Sequence, residues 1–137
     1  MEIIILDTDF LIELLNGNSE TAEFLLGITN QILAITVITR AEIIQGARNK
    51  EHQTKLTKAI DDLLLIDLNT NISNEFTHLF AKYYLSHSCT IPDMLNASCA
   101  ISKEAKLLIL NIKDYKYISE LKLLKYNMSP KSGLSKF

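Results

Sequence analysis

The chain has 137 residues, of which 47% are hydrophobic and 22% are charged. This length predicts a single domain, and the ordinary charged fraction excludes an intrinsically disordered chain. No apolar run approaches the roughly 18 residues that a membrane-spanning helix needs, and the first residues lack the basic segment that opens a secretory signal. The composition therefore predicts a cytoplasmic protein with no membrane partner.

The net charge of −2 conceals a split along the chain. Residues 1–102 carry six basic and thirteen acidic side chains, a net charge of −7. Residues 103–137 carry eight lysines and three acids, a net charge of +5. A basic end on an acidic body favours an anionic partner, although surface lysines also serve solubility alone. The two cysteines, Cys89 and Cys99, are too few for a disulfide framework, so we expect reduced, buried thiols.

Strands and helices alternate in the predicted element order. Short apolar runs predict buried strands, and longer stretches with a repeat of 3.6 residues predict helices. Because strands without polar alternation are covered on both faces, we predict an α/β fold, a three-layer α/β/α sandwich around a mostly parallel sheet of four to five strands. The predicted strands are 3–6, 32–35, 65–68, 107–110 and 121–124. The predicted helices are 10–15, 19–27, 39–47, 52–64, 70–86 and one that starts at 92.

These elements predict one domain over residues 1–128, followed by a polar, poorly ordered tail at 129–137. One apolar stripe is predicted along the helix at 70–86, and it comprises Ile72, Phe76, Leu79, Phe80, Tyr83 and Tyr84. The early helices carry more apolar side chains than one short helix face needs. We assign most of them to the core and keep a dimer or partner surface as the alternative.

Polar side chains fall at the strand-to-helix junctions. In open parallel sheets, ligands bind beyond the carboxyl ends of the strands, so these side chains should converge at one edge. Asp7 and Asp9 follow the first strand, and Glu42 lies in the first turn of the helix after the second strand. Asp93 opens the helix before the fourth strand, and the remaining polar groups, Asn111 and Asp114, follow that strand.

Converging carboxylates repel one another, and burial strengthens the repulsion. Raised pKa values or a bound cation relieve it, and oxygen ligands of this kind suit Mg²⁺ or Mn²⁺. A cation held by carboxylates activates water and neutralises the charge on a phosphodiester. The pattern therefore predicts metal-dependent hydrolysis of a phosphate ester.

Each acid also has a purely structural interpretation. Glu42 follows Thr39 by three residues, which is the spacing of a capping box and on that pair alone the favoured role. Asp93 in a first helical turn offsets the helix dipole, while Asp9 and Asp114 have the residue type of a cap or turn. Any single acid is more often structural than catalytic, so the prediction depends on all of them reaching the same edge.

Three segments, 3–17, 35–49 and 91–118, resemble the successive motifs of the PIN-domain nucleases. The resemblance runs from residue 3 to about residue 124 and is closest to the toxins of VapBC-type toxin–antitoxin modules. It implies an endoribonuclease that cuts tRNA, rRNA or mRNA with Mg²⁺ or Mn²⁺. It also implies a homodimer that is silenced by a cognate antitoxin, which would place a basic side chain among the acids.

The resemblance carries specific roles onto this sequence. It implies that Asp7, Glu42 and Asp93 are the metal ligands, with Asn111 or Asp114 as the fourth polar group of the catalytic set. Candidate substrate contacts are Thr8, Asp9, Thr39, Arg40, Asn96 and Lys113. This sequence departs from the family pattern at four positions. Asp9 stands where an asparagine is usual, and Asn96 stands where a small or apolar residue is usual. Ile109 replaces the usual threonine, and Asn111 is an amide where some members have an acid. Because the three principal acids remain, we expect an active enzyme.

The roles of Asn96 and of the lysines and tyrosines in the basic end have two interpretations each. Asn96 lies one turn after Asp93 and is equally consistent with a substrate contact or a surface amide. In the basic end, lysines are interleaved with Tyr115, Tyr117 and Tyr126. The lysines suit phosphates and the tyrosines suit unpaired bases, but for the tyrosines we favour packing at the edge of the core.

Two other functions compete. The opening strand also resembles that of haloacid-dehalogenase-type phosphatases, in which the first aspartate is a nucleophile and Thr36 with Lys103 or Lys106 would assist. That interpretation lacks the later acidic pair and leaves Glu42 and Asp93 without roles. The departures at Asp9, Ile109 and Asn111 motivate the second competitor, a catalytically degenerate module that binds nucleic acid without cutting it.

Overall fold

The computed structural model describes residues 1–127, in which five strands and six α-helices alternate. The elements are β1 (Glu2–Leu6), α1 (Thr8–Leu15), α2 (Ser19–Leu26), β2 (Gln31–Thr36), α3 (Val37–Gln45), α4 (Lys50–Ile60), β3 (Leu64–Ile66), α5 (Thr70–His87), α6 (Ile91–Ser102), β4 (Lys106–Ile109) and β5 (Lys122–Lys125), with a single 3-10 turn at Ile112–Asp114. The tail predicted at 129–137 lies outside the described residues.

The five strands form one parallel sheet in the order β3-β2-β1-β4-β5. The chain builds outward from β1 to β2 and β3, and then crosses back to add β4 and β5 on the other side of β1. The strand order thus reverses between β1 and β4, and such a switch point in an open parallel sheet is where a ligand crevice forms.

Helices cover both faces of this sheet. Ile5 of β1 belongs to a core beneath α5 and α6, whereas Ile4 and Leu6 of the same strand belong to a second core beneath α1, α3 and α4. Successive side chains of a strand point to opposite faces, so a strand buried on both sides must be apolar at every position. The predicted three-layer α/β/α fold is therefore confirmed.

The structure differs from the prediction at the end of α4 and at Tyr84. Helix α4 ends at Ile60, four residues before the predicted end, because Leu64 already begins β3. On α5, Ile72, Leu79 and Tyr83 are buried as predicted, but Tyr84 at the end of the predicted stripe is 48% exposed.

The early helices and the cysteines follow the prediction. Phe10 and Leu11 of α1 are fully buried, and most other apolar side chains of α1 and α2 pack against the same core. Cys89 and Cys99 are buried free thiols. None of the helices in residues 1–127 is long and apolar enough to cross a membrane.

Candidate active site

The first predicted acid, Asp7, stands at the switch point of the sheet. Its backbone N–H donates to the carbonyl of Leu108 in β4 at 2.9 Å, so β1 continues one residue past its assigned end. Asp7 also occupies the N-cap position of α1, but its side chain makes no capping hydrogen bond. The carboxylate is therefore left to face the end of the sheet, although the residue is only 7% exposed.

Tyr115 joins Asp7 to Asp93. Its hydroxyl lies 2.7 Å from Oδ1 of Asp7 and 3.1 Å from Oδ1 of Asp93, across sequence separations of 108 and 22 residues. One hydroxyl carries a single proton, so it donates fully to only one of the two carboxylates at a time. The ring of Tyr115 is itself buried, which holds the hydroxyl rigidly between the two acids.

Burial dominates the electrostatics of this pair. The pKa of Asp7 is raised to about 7, mainly by desolvation and further by the charges of Asp93 and Asp9, while hydrogen bonds from Tyr115 and Asn96 oppose the rise. Burial also raises the pKa of Asp93 above its ordinary value, and Asp9 adds to that rise. The pKa of Asp114 is raised first by burial and then by the charges of Asp93 and Asp9. The charges of Asp9 and Asp93 therefore contribute to the raised pKa values at this site.

The acids open onto a cavity of about 390 Å³. It is lined by Asp7, Thr8, Asp9, Ile12, Glu42, Gln45, Gly46 and Asp93. Four of these are carboxylates, and no lysine or arginine in the described part of the chain lines the same cavity. The described lining of the cavity is therefore acidic, with no basic side chain among its members.

A chain of hydrogen bonds orients Glu42 toward Asp7. Thr8 donates its hydroxyl proton to Oε1 of Glu42 at 2.7 Å. The hydroxyl oxygens of Thr8 and Thr39 are 3.0 Å apart. Because Thr8 has already donated its single proton, Thr39 is the donor in this second hydrogen bond. The side-chain amide of Asn96 donates to both Thr39 and Asp7 at 3.3 Å. The series thus links α1, α3 and α6 around the two carboxylates.

The start of α3 differs from the prediction. The helix begins at Val37, and its cap is Thr36, whose hydroxyl accepts the N–H of Thr39. The predicted capping box of Thr39 and Glu42 is therefore wrong, because Glu42 lies a turn further into the helix and pairs with Thr8. Thr36 also donates its own proton to Oδ1 of Asn96 at 2.5 Å.

Other predicted site residues lie elsewhere or are used differently. Asn96 is 1% exposed, so it is a buried member of the network and not an amide on the helix surface. Asn111 caps the 3-10 turn by accepting the N–H of Lys113, and it is not among the cavity-lining residues of the described chain. Arg40 forms an ion pair with Asp61 at 3.5 Å. Lys113 is exposed and does not line the cavity.

Sequence reasoning missed the structural roles of Thr36 and Tyr115. The burial of Tyr115 fits its predicted packing with the core, but the sequence pattern does not predict the contacts of its hydroxyl with Asp7 and Asp93. The only local signal was its position directly after Asp114 in the segment that follows β4. A hydroxyl on a buried ring that follows a strand end is a usable signal, since such a group needs a polar partner.

The donor set of this site fits a hard divalent cation. Within residues 1–127, no three acidic, histidine or cysteine side chains stand close enough together to enclose an ion by themselves. Mg²⁺ does not require such a cage, because it keeps several waters and is commonly bound by one or two carboxylates together with substrate phosphates. Asp7 and Asp93, held at one hydroxyl and facing an acidic cavity, match that mode of binding.

Comparison with known proteins identifies the family of this chain. The sequence model of the PIN domain matches residues 4–120, which is most of the chain. This chain belongs to the PIN-domain family. A comparison with curated proteins gives no match.

Solved structures share the PIN fold over nearly the whole chain. VapBC2 from Rickettsia felis, bound to a DNA fragment from its promoter, is 27% identical with a TM-score of 0.78, covering 91% of this chain and 99% of that one. VapBC-1 from nontypeable Haemophilus influenzae is 24% identical with a TM-score of 0.77, covering 90% and 97%. A toxin–antitoxin complex from Klebsiella pneumoniae is 22% identical with a TM-score of 0.76, covering 91% and 99%. The predicted resemblance to PIN domains of VapBC type is confirmed.

Proposed function

We propose that this PIN domain is a Mg²⁺- or Mn²⁺-dependent endoribonuclease and the toxin of a toxin–antitoxin pair. The observation that carries the proposal is the joining of Asp7 and Asp93 through the hydroxyl of Tyr115, at the mouth of a cavity that Glu42 also lines. Carboxylates at the switch point of a parallel sheet are positioned for a ligand, and their oxygen atoms favour a hard cation with bound phosphate.

In this proposal Asp7 and Asp93 are the principal metal ligands, and Glu42 is the third acid of the site. The ion, when bound, neutralises charge on the scissile phosphate and acidifies a water molecule. Thr8 holds the Glu42 carboxylate toward the cavity, where it is placed to accept a proton from the attacking water. Asn96 and Tyr115 fix Asp7 from two sides, so that its oxygens need little reorganisation during the reaction.

The remaining predicted residues fall into outer roles. Asp9 lines the cavity and adds negative charge, which favours a cation over an anion there. Asp114 responds to the charges of Asp93 and Asp9, so it is a better candidate than Asn111 for the fourth polar group. Lys113 is exposed on the same segment, in a position suited to an RNA phosphate.

The partners follow from the same proposal. The structures with the same fold are described as VapBC or toxin–antitoxin complexes, which supports a cognate antitoxin for this chain. An antitoxin side chain of positive charge would neutralise the acid cavity and so block the metal. We also infer a homodimer that acts in the cytoplasm on tRNA, rRNA or mRNA. Light scattering of the purified chain, and growth arrest that co-expression of the antitoxin relieves, test the dimer and the toxin role separately.

The phosphatase alternative is weaker in the light of the geometry. Thr36 is fully buried as the cap of α3, and Lys106 pairs with Glu2 at 3.2 Å at the opposite end of the sheet. Neither side chain is therefore available at the cavity to assist an aspartate nucleophile.

An RNA cleavage assay tests the enzyme. We expect the purified chain to cut single-stranded RNA with Mg²⁺ or Mn²⁺, and a chelator to abolish the cleavage. The double variant Asp7→Asn, Asp93→Asn should be inactive, whereas Asp62→Asn, Asp67→Asn, which removes equal charge at exposed positions, should keep full activity. Cleavage that persists in the first double variant would overturn the metal site. Absence of cleavage in every RNA pool would instead favour the degenerate binding module.

A further inference from the structure

His87 and Tyr117 form an aromatic pair between the end of α5 and the segment that follows β4. Their rings are nearly parallel, at 7°, with centroids 4.1 Å apart. The His87 side chain at the end of α5 remains exposed although Tyr117 covers one face of its ring. We propose that the open face of His87 stacks one unpaired base of the RNA substrate, a proposal that rests on the ribonuclease function above.

Side chains of α5 and α6 hold the pair in place. Tyr83 of α5 meets both rings edge-on, at 5.3 Å from Tyr117 and 6.0 Å from His87. The hydroxyl of Tyr117 points to Sδ of Met94 in α6 at 3.8 Å, and Ser86 Oγ lies 2.7 Å from Nδ1 of His87. An exposed side chain that is fixed before binding loses little conformational entropy when a ligand stacks on it. The His87 ring thus has the properties of a binding surface and not those of a freely rotating surface side chain.

The position of the pair ties it to the cavity. Met94, which Tyr117 contacts, directly follows Asp93, and Tyr117 lies two residues after Tyr115, whose hydroxyl joins the two acids. The end of α5 and the start of α6 are separated by only residues 88–90. A strand whose phosphate lies at Asp93 would therefore carry a neighbouring base past His87.

Two lysines on the segment that supplies Tyr117 favour a nucleic acid strand over an apolar protein segment. Lys113 and Lys116 are both exposed there, so both are available to contact the phosphate backbone of a bound strand. A stacked ring offers no base-specific hydrogen bonds, and a base in a duplex cannot reach it. The site therefore selects unpaired RNA, such as a loop, with little discrimination among the four bases.

Binding of a labelled single-stranded RNA of about ten nucleotides tests the site. The measurement is fluorescence anisotropy in the Asp7→Asn, Asp93→Asn background, which keeps the strand intact, with an abasic strand of equal length in parallel. His87→Ala should weaken binding to the RNA about tenfold and leave the abasic strand unaffected, whereas His87→Phe should bind RNA within about twofold of the background. Tyr84→Ala, an exposed stacked aromatic on the same helix, is the matched control and should change neither affinity.

The possible results distinguish failure of the stacking site from failure of the proposed ribonuclease function. Equal weakening on both strands by His87→Ala, or no weakening on either, overturns the stacking site. If the wild-type chain still cuts RNA in that case, the proposed function stands and His87 serves another partner, such as a protein. If the wild-type chain neither binds nor cuts RNA, both proposals fail together.

Discussion

The most unusual single residue is Asp7, a carboxylate that the fold buries next to two others. Its pKa is raised to about 7 from an ordinary value of 3.8, with burial as the largest cause and the charges of Asp93 and Asp9 as further causes. Between these two pH values the folded chain holds a proton that the unfolded chain has already released. Folding stability therefore falls as the pH rises from about 4 to about 7. Above pH 7 Asp7 is ionised in the folded protein, and the full cost of burying its charge lowers the free energy of unfolding.

Replacing Asp7 by asparagine should remove this cost in the metal-free protein. At pH 8 in a chelator, we expect Asp7→Asn to raise the free energy of unfolding by roughly 2–4 kcal/mol, since one pKa unit corresponds to about 1.4 kcal/mol. Near pH 4 the two proteins should differ little, because Asp7 is protonated in the folded state and half protonated in the unfolded state. Urea denaturation at both pH values measures the difference.

The control for this prediction is Asp62→Asn, which removes an exposed carboxylate. It should leave the free energy of unfolding unchanged at both pH values. A destabilised Asp7→Asn protein at pH 8 would show that the hydrogen bonds from Tyr115 and Asn96 outweigh the burial of the charge.

Among the elements, α3 supplies both Thr39 and Glu42 to the candidate site. Its start is fixed by one hydroxyl: Thr36 accepts the N–H of Thr39 and donates to the buried amide oxygen of Asn96. The position of Glu42 at the cavity thus depends on a cap at the end of β2. In the proposed enzyme, this helix end would link stability to activity.

Thr36→Val keeps the volume of the side chain and removes both hydrogen bonds. We expect a loss of about 2–4 kcal/mol in the free energy of unfolding, from a lost cap and from an amide oxygen left buried without a partner. We also expect lower cleavage activity in the fraction that stays folded. Denaturation and single-turnover RNA cleavage measure the two effects.

A second cap provides the comparison for Thr36→Val. Asn69 accepts the N–H of Ile72 at the start of α5, far from the cavity. Asn69→Ala should cost about 1 kcal/mol and leave cleavage unchanged. Equal loss of activity in both variants would mean that Thr36 acts only through global stability.

For the whole molecule, the decisive property is the parallel sheet with its strand-order reversal beside β1. All strands end at one edge, so groups that are more than a hundred residues apart in the chain meet there. The same arrangement concentrates negative charge at that edge. Folding therefore carries an electrostatic cost, which the proposed cation would relieve.

A divalent cation should consequently stabilise the folded chain. The free energy of unfolding should rise with Mg²⁺ concentration, by about 2.7 kcal/mol at a hundred times the dissociation constant. Thermal unfolding of the wild-type chain should show this rise at constant ionic strength, and the Asp7→Asn, Asp93→Asn variant should not. An equal rise in both proteins would locate the cation elsewhere.

The amino-acid sequence determined those features that depend on local pattern. Continuous apolar runs identify strands buried on both faces, and 3.6-residue repeats identify the helices between them. Because parallel strands share one edge, the positions of Asp7 and Asp93 at strand and helix ends were enough to predict that they approach each other. Element ends were less predictable, as at Val37, since a cap depends on a single hydroxyl.

The tertiary structure alone decided the contacts that make these acids a site. Tyr115 reaches Asp7 across 108 residues, and Asn96 reaches it across 89, and neither distance leaves any periodic signal in the sequence. Likewise, Asn111 and Asp114 are close in sequence but differ in role. Asn111 caps a turn, whereas the charge of Asp93 contributes to the raised pKa of Asp114. Side-chain direction and burial depend on how the layers pack, and packing is a property of the assembled chain and not of any segment of it.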